Sequence, residues 1–183
     1  MTGYIALLRG INVGGKNKIK MADLRGMLEE IGLSQVKTYI QSGNVFFESE
    51  QEVGILQQQL ESEIEKVFGF SVKVIVRTAE EVVQILENCP FSEEEISEAE
   101  ASAEGESLYV AFLQDFPSQE EMTRLGAFKS DNEEYRVDGR EIYLLFRQSI
   151  RNSRLANHLQ KMTVPSTVRN WKTITKLATM ERV

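Results

Sequence analysis

The chain has 183 residues, 42% of them hydrophobic, and a formal net charge of −7. The length suits one domain or two small ones, and the acidic balance argues against general nucleic-acid binding. No apolar run approaches the roughly 20 residues that span a bilayer, no signal peptide is predicted, and one cysteine permits no internal disulfide. The sequence therefore predicts a globular cytoplasmic protein.

Short apolar runs and helical periodicity alternate in the N-terminal half. Glycine and asparagine in the turn 41–44 predict that the two strands around it form a hairpin. The order of elements is β-α-β-β-α-β, that of a ferredoxin-like unit. The predicted elements are the strand Tyr4–Leu8, a helix from Met21 to Ile31, the strands Val36–Ile40 and Val45–Phe47, a helix from Val53 to Val67, and the strand Val72–Val76.

A third helix is predicted to follow, because Thr78 and Glu81 have the spacing of a capping box. Pro90 ends this helix. The next residues, 91–106, are acidic and poor in large apolar side chains. This composition leaves open a linker or an irregular helix.

The pattern then restarts, with Ser118 and Glu121 as a second capping box. We predict an α+β fold of two ferredoxin-like halves related by internal duplication, with antiparallel or mixed sheets and helices on one face. Residues 1–90 would form a βαββαβ half with a trailing helix, 91–106 an acidic linker, and 107–183 a βαββ half with two closing helices. The strands predicted in the second half are Leu108–Leu113, Tyr135–Val137 and Glu141–Phe146.

Three segments carry a resemblance to a known family. They are Leu8–Gly15 (LRGINVGG), Thr38–Val45 (TYIQSGNV) and Val168–Leu177 (VRNWKTITKL). Together they resemble the bacterial domain-of-unknown-function family 1697, along the whole chain. The resemblance implies an α+β fold of ferredoxin-like halves and no established activity.

The loop from Arg9 to Lys20 is rich in glycine and lysine and lies between a predicted strand and a predicted helix. Such loops expose backbone N–H groups that bind anions. Gly10–Asn17 nearly matches a nucleotide-binding P-loop, but Asn17 replaces the hydroxyl residue that holds Mg²⁺, and a hairpin, typical of an antiparallel sheet, follows the helix. Two interpretations stay open: an anion site of another kind, or a tight turn that needs its glycines.

Charge is unevenly distributed along the rest of the chain. Residues 80–141 contain 18 acidic and 4 basic side chains, whereas residues 142–180 contain no Asp or Glu and seven Lys or Arg. If Asn170 caps the last helix, Arg169 lies beside a partly positive helix end, where a bound anion would compensate its charge. An internal salt bridge is the alternative for Arg169.

Catalytic and metal-binding residues are not predicted. His158 is the only histidine and Cys89 the only cysteine, so neither a zinc site nor a catalytic triad has support. Phe46 and Phe47 are adjacent in a predicted strand and therefore point to opposite faces, so only one of them could stack on a base, and the RNP1 pattern of RNA-binding ferredoxin-like domains is absent.

The sequence therefore predicts a small anionic, phosphate-type ligand, without cofactor or metal, where the N-terminal loop meets the basic C-terminal segment. The alternatives are a protein-interaction or scaffold module and a nucleic-acid-binding module. Catalysis and oligomeric state stay open. The predicted ligand-binding residues are Arg9, Asn12, Gly14, Gly15, Lys16, Ser42, Asn44, Arg169, Asn170 and Lys176.

Overall fold

The computed structural model describes residues 1–182, and it divides the chain into two units. The first unit contains Met1–Gln84 and the chain from Thr175 onward, and the second contains Ile85–Ile174. These bounds fall at other positions than the predicted segments 1–90, 91–106 and 107–183. Each unit contains one four-stranded sheet.

The first unit follows the βαββαβ order that its sequence predicts. Its strands are arranged β2-β3-β1-β4, and every neighbouring pair is antiparallel. This is the strand order of a ferredoxin-like fold. The elements are β1 Thr2–Leu8, α1 Met21–Glu30, β2 Ser34–Tyr39, β3 Asn44–Ser49, α2 Val53–Phe68 and β4 Val74–Thr78, followed by α3 Ala79–Glu87.

The core of the first unit lies between the sheet and the helices α1 and α2. Alternate residues of β1 contribute to it, since successive side chains of a strand point to opposite faces. Leu24 of α1 and Leu60 of α2 pack into the same cluster. Tyr4 and Phe47 stack with their ring centroids 5.7 Å apart. The apolar residues that recur at helical spacing in the sequence therefore form the faces of α1 and α2 that pack against the sheet.

The second unit repeats this topology, with the strand order β6-β7-β5-β8 and antiparallel neighbours. Its core contains residues of β5 and β7 together with Leu125 of α5 and Leu159 of α6. The elements are α4 Glu93–Ser102, β5 Leu108–Leu113, α5 Gln119–Gly126, β6 Glu133–Asp138, β7 Glu141–Phe146, a 3-10 helix Ile150–Asn152, α6 Arg154–Gln160, β8 Ser166–Asn170 and α7 Trp171–Leu177. The first unit resumes at Thr175 within α7 and contains the 3-10 helix Met180–Arg182.

The strand β8 corrects the prediction that the second half closes with two helices alone. It pairs with β5 from Tyr109↔Asn170 to Leu113↔Ser166. Its sequence, STVRN, has one aliphatic residue, so apolar periodicity gave no strand signal. Pairing with a central strand, rather than side-chain hydrophobicity, keeps this segment extended. The second unit is therefore also βαββαβ.

A regular helix occupies most of the acidic segment that the sequence left as a linker or an irregular helix. Its N-terminus has a full capping box, in which Ser92 and Glu95 each accept from the other's backbone N–H. The guanidinium of Arg136 on β6 is 2.8 Å from the Glu95 carboxylate and 4.4 Å from the ring centroid of Phe91. These contacts attach the start of α4 to the sheet of its own unit.

The ends of the first strands match between the two units. Leu8 N–H donates to the Gly43 carbonyl at 2.9 Å, as Leu113 N–H does to the Arg140 carbonyl. The next residue donates its N–H to the carbonyl of the residue directly before the last strand of the unit. These pairs are Arg9 with Lys73 and Gln114 with Pro165. The strand-to-helix connections that begin at these two residues are therefore equivalent.

Candidate anion-binding site

The glycines of the N-terminal loop form a tight reversal. Lys16 N–H donates to the Val13 carbonyl at 3.1 Å, and the two residues form an antiparallel bridge. Gly14 and Gly15 between them have φ +60 and +74. Two-residue hairpin loops of type I′ need positive φ at both central positions, which glycine adopts without steric cost. The glycines therefore form a tight turn, as one of the two interpretations predicted. Both glycines are exposed at the tip of this turn.

Asn12 fixes the position of this loop. Its side-chain amide donates to the carbonyls of Ile19 at 3.0 Å and Gln41 at 2.7 Å, and its Oδ1 accepts from Ile19 N–H at 2.9 Å. Asn17 adds a longer bond to the Gly10 carbonyl at 3.3 Å. One asparagine side chain thus joins both sides of the loop to the turn between β2 and β3.

The helix α1 begins directly after the loop without a side-chain cap. Its N-cap residue is Lys20, whose side chain makes no capping hydrogen bond. The first N–H groups of a helix have no partner within the helix and carry a partial positive charge. Asp23 is the only acidic residue in the first turn. A lysine at this position adds positive charge where an anion or an acceptor is favoured.

A cavity of ≈ 570 Å³ opens beside this helix start. It lies wholly within the first unit, between the loop, the beginning of α1, the β2–β3 turn and the end of α2. The residues that line it are Asn12, Gly15, Lys18, Ile19, Lys20, Asp23, Gln41 and Phe68.

The lysines of the loop form no ion pair within the described chain. Lys16, Lys18 and Lys20 are exposed, and none of them forms an ion pair with a residue in the range 1–182. Lys18 and Lys20 belong to the cavity wall. The wall therefore presents two ammonium groups, the start of a helix and one carboxylate, a set that favours a ligand of net negative charge.

The predicted ligand-binding residues of the first unit take different positions. Asn12 and Gly15 line the cavity, whereas Gly14 and Lys16 lie on the hairpin beside it without lining it. Asn44 is buried, and its amide donates to Ser42 Oγ at 2.8 Å and to the Tyr39 carbonyl at 3.1 Å. Ser42 and Asn44 thus hold the β2–β3 turn together, and Gln41 is its residue at the cavity.

Arg9 and Lys176 also belong to the first unit. The backbone of Arg9 continues the sheet through its bond to Lys73 O at 3.0 Å, and its side chain is half-buried. Lys176 is exposed in the last turn of α7, where a cation suits the helix dipole. Neither residue lines the cavity.

Arg169 and Asn170 lie in the second unit, at the end of β8. Arg169 is buried, and its guanidinium donates to Thr167 Oγ1 at 2.6 Å and to the Val168 carbonyl at 3.1 Å. Burial lowers the pKa of Arg169 to about 10, so it remains a cation at neutral pH. Asn170 Oδ1 accepts from Thr173 N–H at 2.8 Å, which confirms it as the cap of the last helix. A pocket shared with the N-terminal loop stays a prediction.

Six of the eight lining residues are absent from the predicted ligand-binding set, namely Lys18, Ile19, Lys20, Asp23, Gln41 and Phe68. The lysines had a signal in the K-N-K-I-K run, which places three cations at the start of a predicted helix. Phe68 had none, because its apolar position in α2 is also what core packing requires.

Other reactive side chains are in packing positions. The ring of His158 stacks on Phe128 with centroids 4.5 Å apart. Burial raises the pKa of the Cys89 thiol, which keeps it protonated and weakly nucleophilic at neutral pH. Among residues 1–182 there is no group of three or more His, Cys, Asp or Glu side chains that could hold a metal ion.

Two ferredoxin-like units, the first with a lysine-rich loop beside a cavity, define the class of this protein as α+β. The chain belongs to the family described as "Protein of unknown function (DUF1697)", whose model matches residues 1–143. This confirms the family that the sequence segments indicated; the matched residues include Leu8–Gly15 and Thr38–Val45, whereas Val168–Leu177 lies outside them.

Comparison with solved structures gives the same fold. The chain is similar to the conserved bacterial protein SP0830 from Streptococcus pneumoniae, with 29% sequence identity, a TM-score of 0.70 and coverage of 98% of each chain. None of the curated proteins compared with the chain matches it. In the described part of the chain, every helix is too short or too polar to cross a membrane.

Proposed function

We propose that this protein binds a small phosphate-bearing anion in the cavity between the loop 9–20 and the N-terminus of α1. The observation that carries the proposal is the pair Lys18 and Lys20, which line the cavity without an ion pair in the described chain. Two ammonium groups next to a helix start repel each other and the helix dipole. A bound dianion would remove both repulsions.

The ligand contacts follow from this geometry. Lys18 and Lys20 would act as point charges for phosphate oxygens, and the exposed N–H of Gly15 would donate a directed hydrogen bond. The uncapped N–H groups of α1 would complete the set. Asn12 would position the site and not contact the phosphate, because its three hydrogen bonds hold Ile19 and Gln41 at the cavity wall.

The second unit supports this assignment as an internal comparison. At the equivalent position, the N-cap residue of α5 is Ser118, whose Oγ accepts from Glu121 N–H at 3.1 Å, and the Glu121 carboxylate accepts from Ser118 N–H at 3.5 Å. The start of α5 is thus capped by a hydroxyl and a carboxylate of its own chain, whereas the start of α1 is not. We infer that the two units arose by internal duplication and that the first one kept or acquired the cationic connection.

The proposal extends to the cellular setting and to the C-terminal basic residues. A single cysteine and a cavity for a soluble phosphate compound suit the bacterial cytoplasm. Contributions of Arg9, Arg169, Asn170 and Lys176 to the same ligand belong to the sequence hypothesis, and the cavity needs none of them for its lining.

Thermal unfolding with millimolar inorganic phosphate, sugar phosphates and nucleotides tests the proposal. A ligand at about 100 times its Kd stabilises the folded state by about 2.7 kcal/mol, which for a chain of this size raises Tm by roughly 5–10 °C. The double variant Lys18→Ala/Lys20→Ala should lose most of this shift and keep its own unfolding cooperative.

The matched control is Lys129→Ala/Lys161→Ala, which removes two exposed lysines from the second unit. It has the same change of net charge and should retain the ligand-induced shift. If both double variants lose the shift equally, binding is a general charge effect. If no anion raises the Tm of the unmodified protein, the scaffold hypothesis replaces the proposal.

A further inference from the structure

The residues that line the cavity differ in chemistry. The loop and the start of α1 contribute Lys18 and Lys20, while Phe68 at the end of α2 and the buried Ile19 contribute apolar surface. The volume of ≈ 570 Å³ lies inside the range of roughly 300–1,000 Å³ that is typical of organic ligands in proteins. A bare phosphate ion would contact the cationic side and leave the aromatic side empty.

Asp23 favours some phosphate compounds over others. It is exposed in the first turn of α1 and lines the same cavity as the two lysines. A carboxylate accepts hydrogen bonds from hydroxyl and amino groups but repels additional phosphates. Beside Asp23, a single phosphate group with hydroxyl or N–H donors near it is favoured over a polyphosphate chain.

We propose that the ligand is a phosphomonoester that carries a planar ring, of the size of a nucleoside monophosphate. This inference rests on the proposed function and names its substrate class. The phosphate lies at Lys18, Lys20 and the start of α1, the ring lies on Phe68, and Asp23 and the Gln41 amide bind the polar groups between them. A free nucleotide and the phosphorylated end of a nucleic acid share this chemistry.

Isothermal titration with five probes separates these features. The probes are inorganic phosphate, ribose 5-phosphate, adenosine 5′-monophosphate, ATP without Mg²⁺, and a short 5′-phosphorylated single-stranded oligonucleotide. The monophosphate should bind more tightly than ribose 5-phosphate by between about fivefold and a hundredfold, the gain of stacking one base on an aromatic side chain. It should also bind more tightly than ATP and the oligonucleotide.

The variant Phe68→Leu tests the ring contact. Leucine still provides apolar surface for the core but no ring for stacking. Adenosine 5′-monophosphate should therefore bind no more tightly than ribose 5-phosphate, whose affinity should not change. The control is Phe70→Leu, because Phe70 also packs against the core of the first unit and does not line the cavity. Equal effects of the two variants on the monophosphate would overturn the ring contact.

The variant Asp23→Asn tests the selection against polyphosphates. It should raise the affinity for ATP by up to about fivefold and leave that for inorganic phosphate nearly unchanged. Glu30→Gln is the control on the same helix, since Glu30 is exposed at its other end. If ATP is preferred already in the unmodified protein, the assignment of Asp23 is wrong.

The outcomes separate this inference from the proposed function. Binding of ribose 5-phosphate as tight as that of the monophosphate overturns the ring and leaves the anion site in place. Tighter binding of the oligonucleotide than of the monophosphate overturns the small-molecule assignment. If none of the five probes binds, the anion site itself is refuted.

Discussion

The connection from first strand to first helix differs between the two units, although the strand ends around it match. In the first unit it covers residues 9–20, and in the second only 114–118. The short connection ends at Ser118, a capping residue followed by glutamates. The long one ends at Lys20 without a side-chain cap and with two more lysines before it. The fold itself therefore requires neither the length nor the charge of the first connection.

This difference supports the proposed binding site at the first connection. A sequence that specifies one structure usually agrees with local rules such as helix capping, and departures concentrate at functional sites. The loop departs in its cations at a helix start and in its exposed glycine tip, yet three hydrogen bonds of Asn12 keep it ordered. A loop that is ordered before binding loses less conformational entropy when a ligand binds, which suits the proposed site.

The largest effect is expected at the turn that supports the long connection. Gly43 has φ +82, and a Cβ on it would lie 2.7 Å from Leu8 Cβ and 2.9 Å from Ile11 Cδ1. Gly43→Ala combines a left-handed backbone cost of about 1–2 kcal/mol with overpacking of about 1–3 kcal/mol. Urea denaturation should show a loss of about 2–5 kcal/mol in the free energy of unfolding.

The second unit provides the control for this substitution. Gly139 in its hairpin turn has φ +62, but a Cβ there would meet Phe116 Cε1 at an ordinary 3.8 Å. Gly139→Ala should therefore cost only the backbone part, about 1–2 kcal/mol. Equal losses at Gly43 and Gly139 would contradict the close packing of the first turn against the loop.

A smaller loss is expected when the loop loses its clamp. Asn12→Ala removes three hydrogen bonds, each worth about 1 kcal/mol at most in this partly exposed setting, and should destabilise the protein by about 2–3 kcal/mol. Asn17→Ala is the control, because Asn17 also has positive φ but makes one bond at 3.3 Å. It should cost about 1 kcal/mol. A smaller loss for Asn12→Ala than for Asn17→Ala would show that the loop is held by other contacts.

The sequence predicted the parts of this fold that depend on local rules. The capping boxes at Thr78 and Ser118 are both present, with bonds of 2.7–3.5 Å. Gly69 ends α2 in the left-handed conformation, as its position after the apolar pattern predicted. Strands with continuous apolar runs, such as β5 and β7, have the bounds that the sequence indicated.

Features that depend on distant partners were beyond the sequence. The strand β8 is polar and is extended because it pairs with β5. The cavity joins Asp23, Gln41 and Phe68, which are far apart in the chain and meet only after the sheet has formed. Local pattern indicated the positive charge of the loop, and tertiary packing brought the other lining residues to the same cavity.

The smallest effect compares the two helix starts directly. Ser118→Ala should destabilise the protein by about 1 kcal/mol, since it removes the acceptor for Glu121 N–H. Lys20→Ser should do the reverse and stabilise by about 0.5–1 kcal/mol, because it replaces a cation at the start of α1 with a cap. Both are measured by urea denaturation without phosphate.

Repeating the urea denaturation of Lys20→Ser with a saturating concentration of a phosphate compound tests whether the ligand binds at the start of α1. A ligand at the start of α1 stabilises the unmodified protein more than the variant, so the advantage of the serine should shrink or change sign. If Lys20→Ser gains no stability without ligand, the N–H groups of α1 are already satisfied and the contrast with α5 fails. If it gains stability and keeps its full response to phosphate, the anion binds elsewhere on the protein, and the long connection serves another purpose.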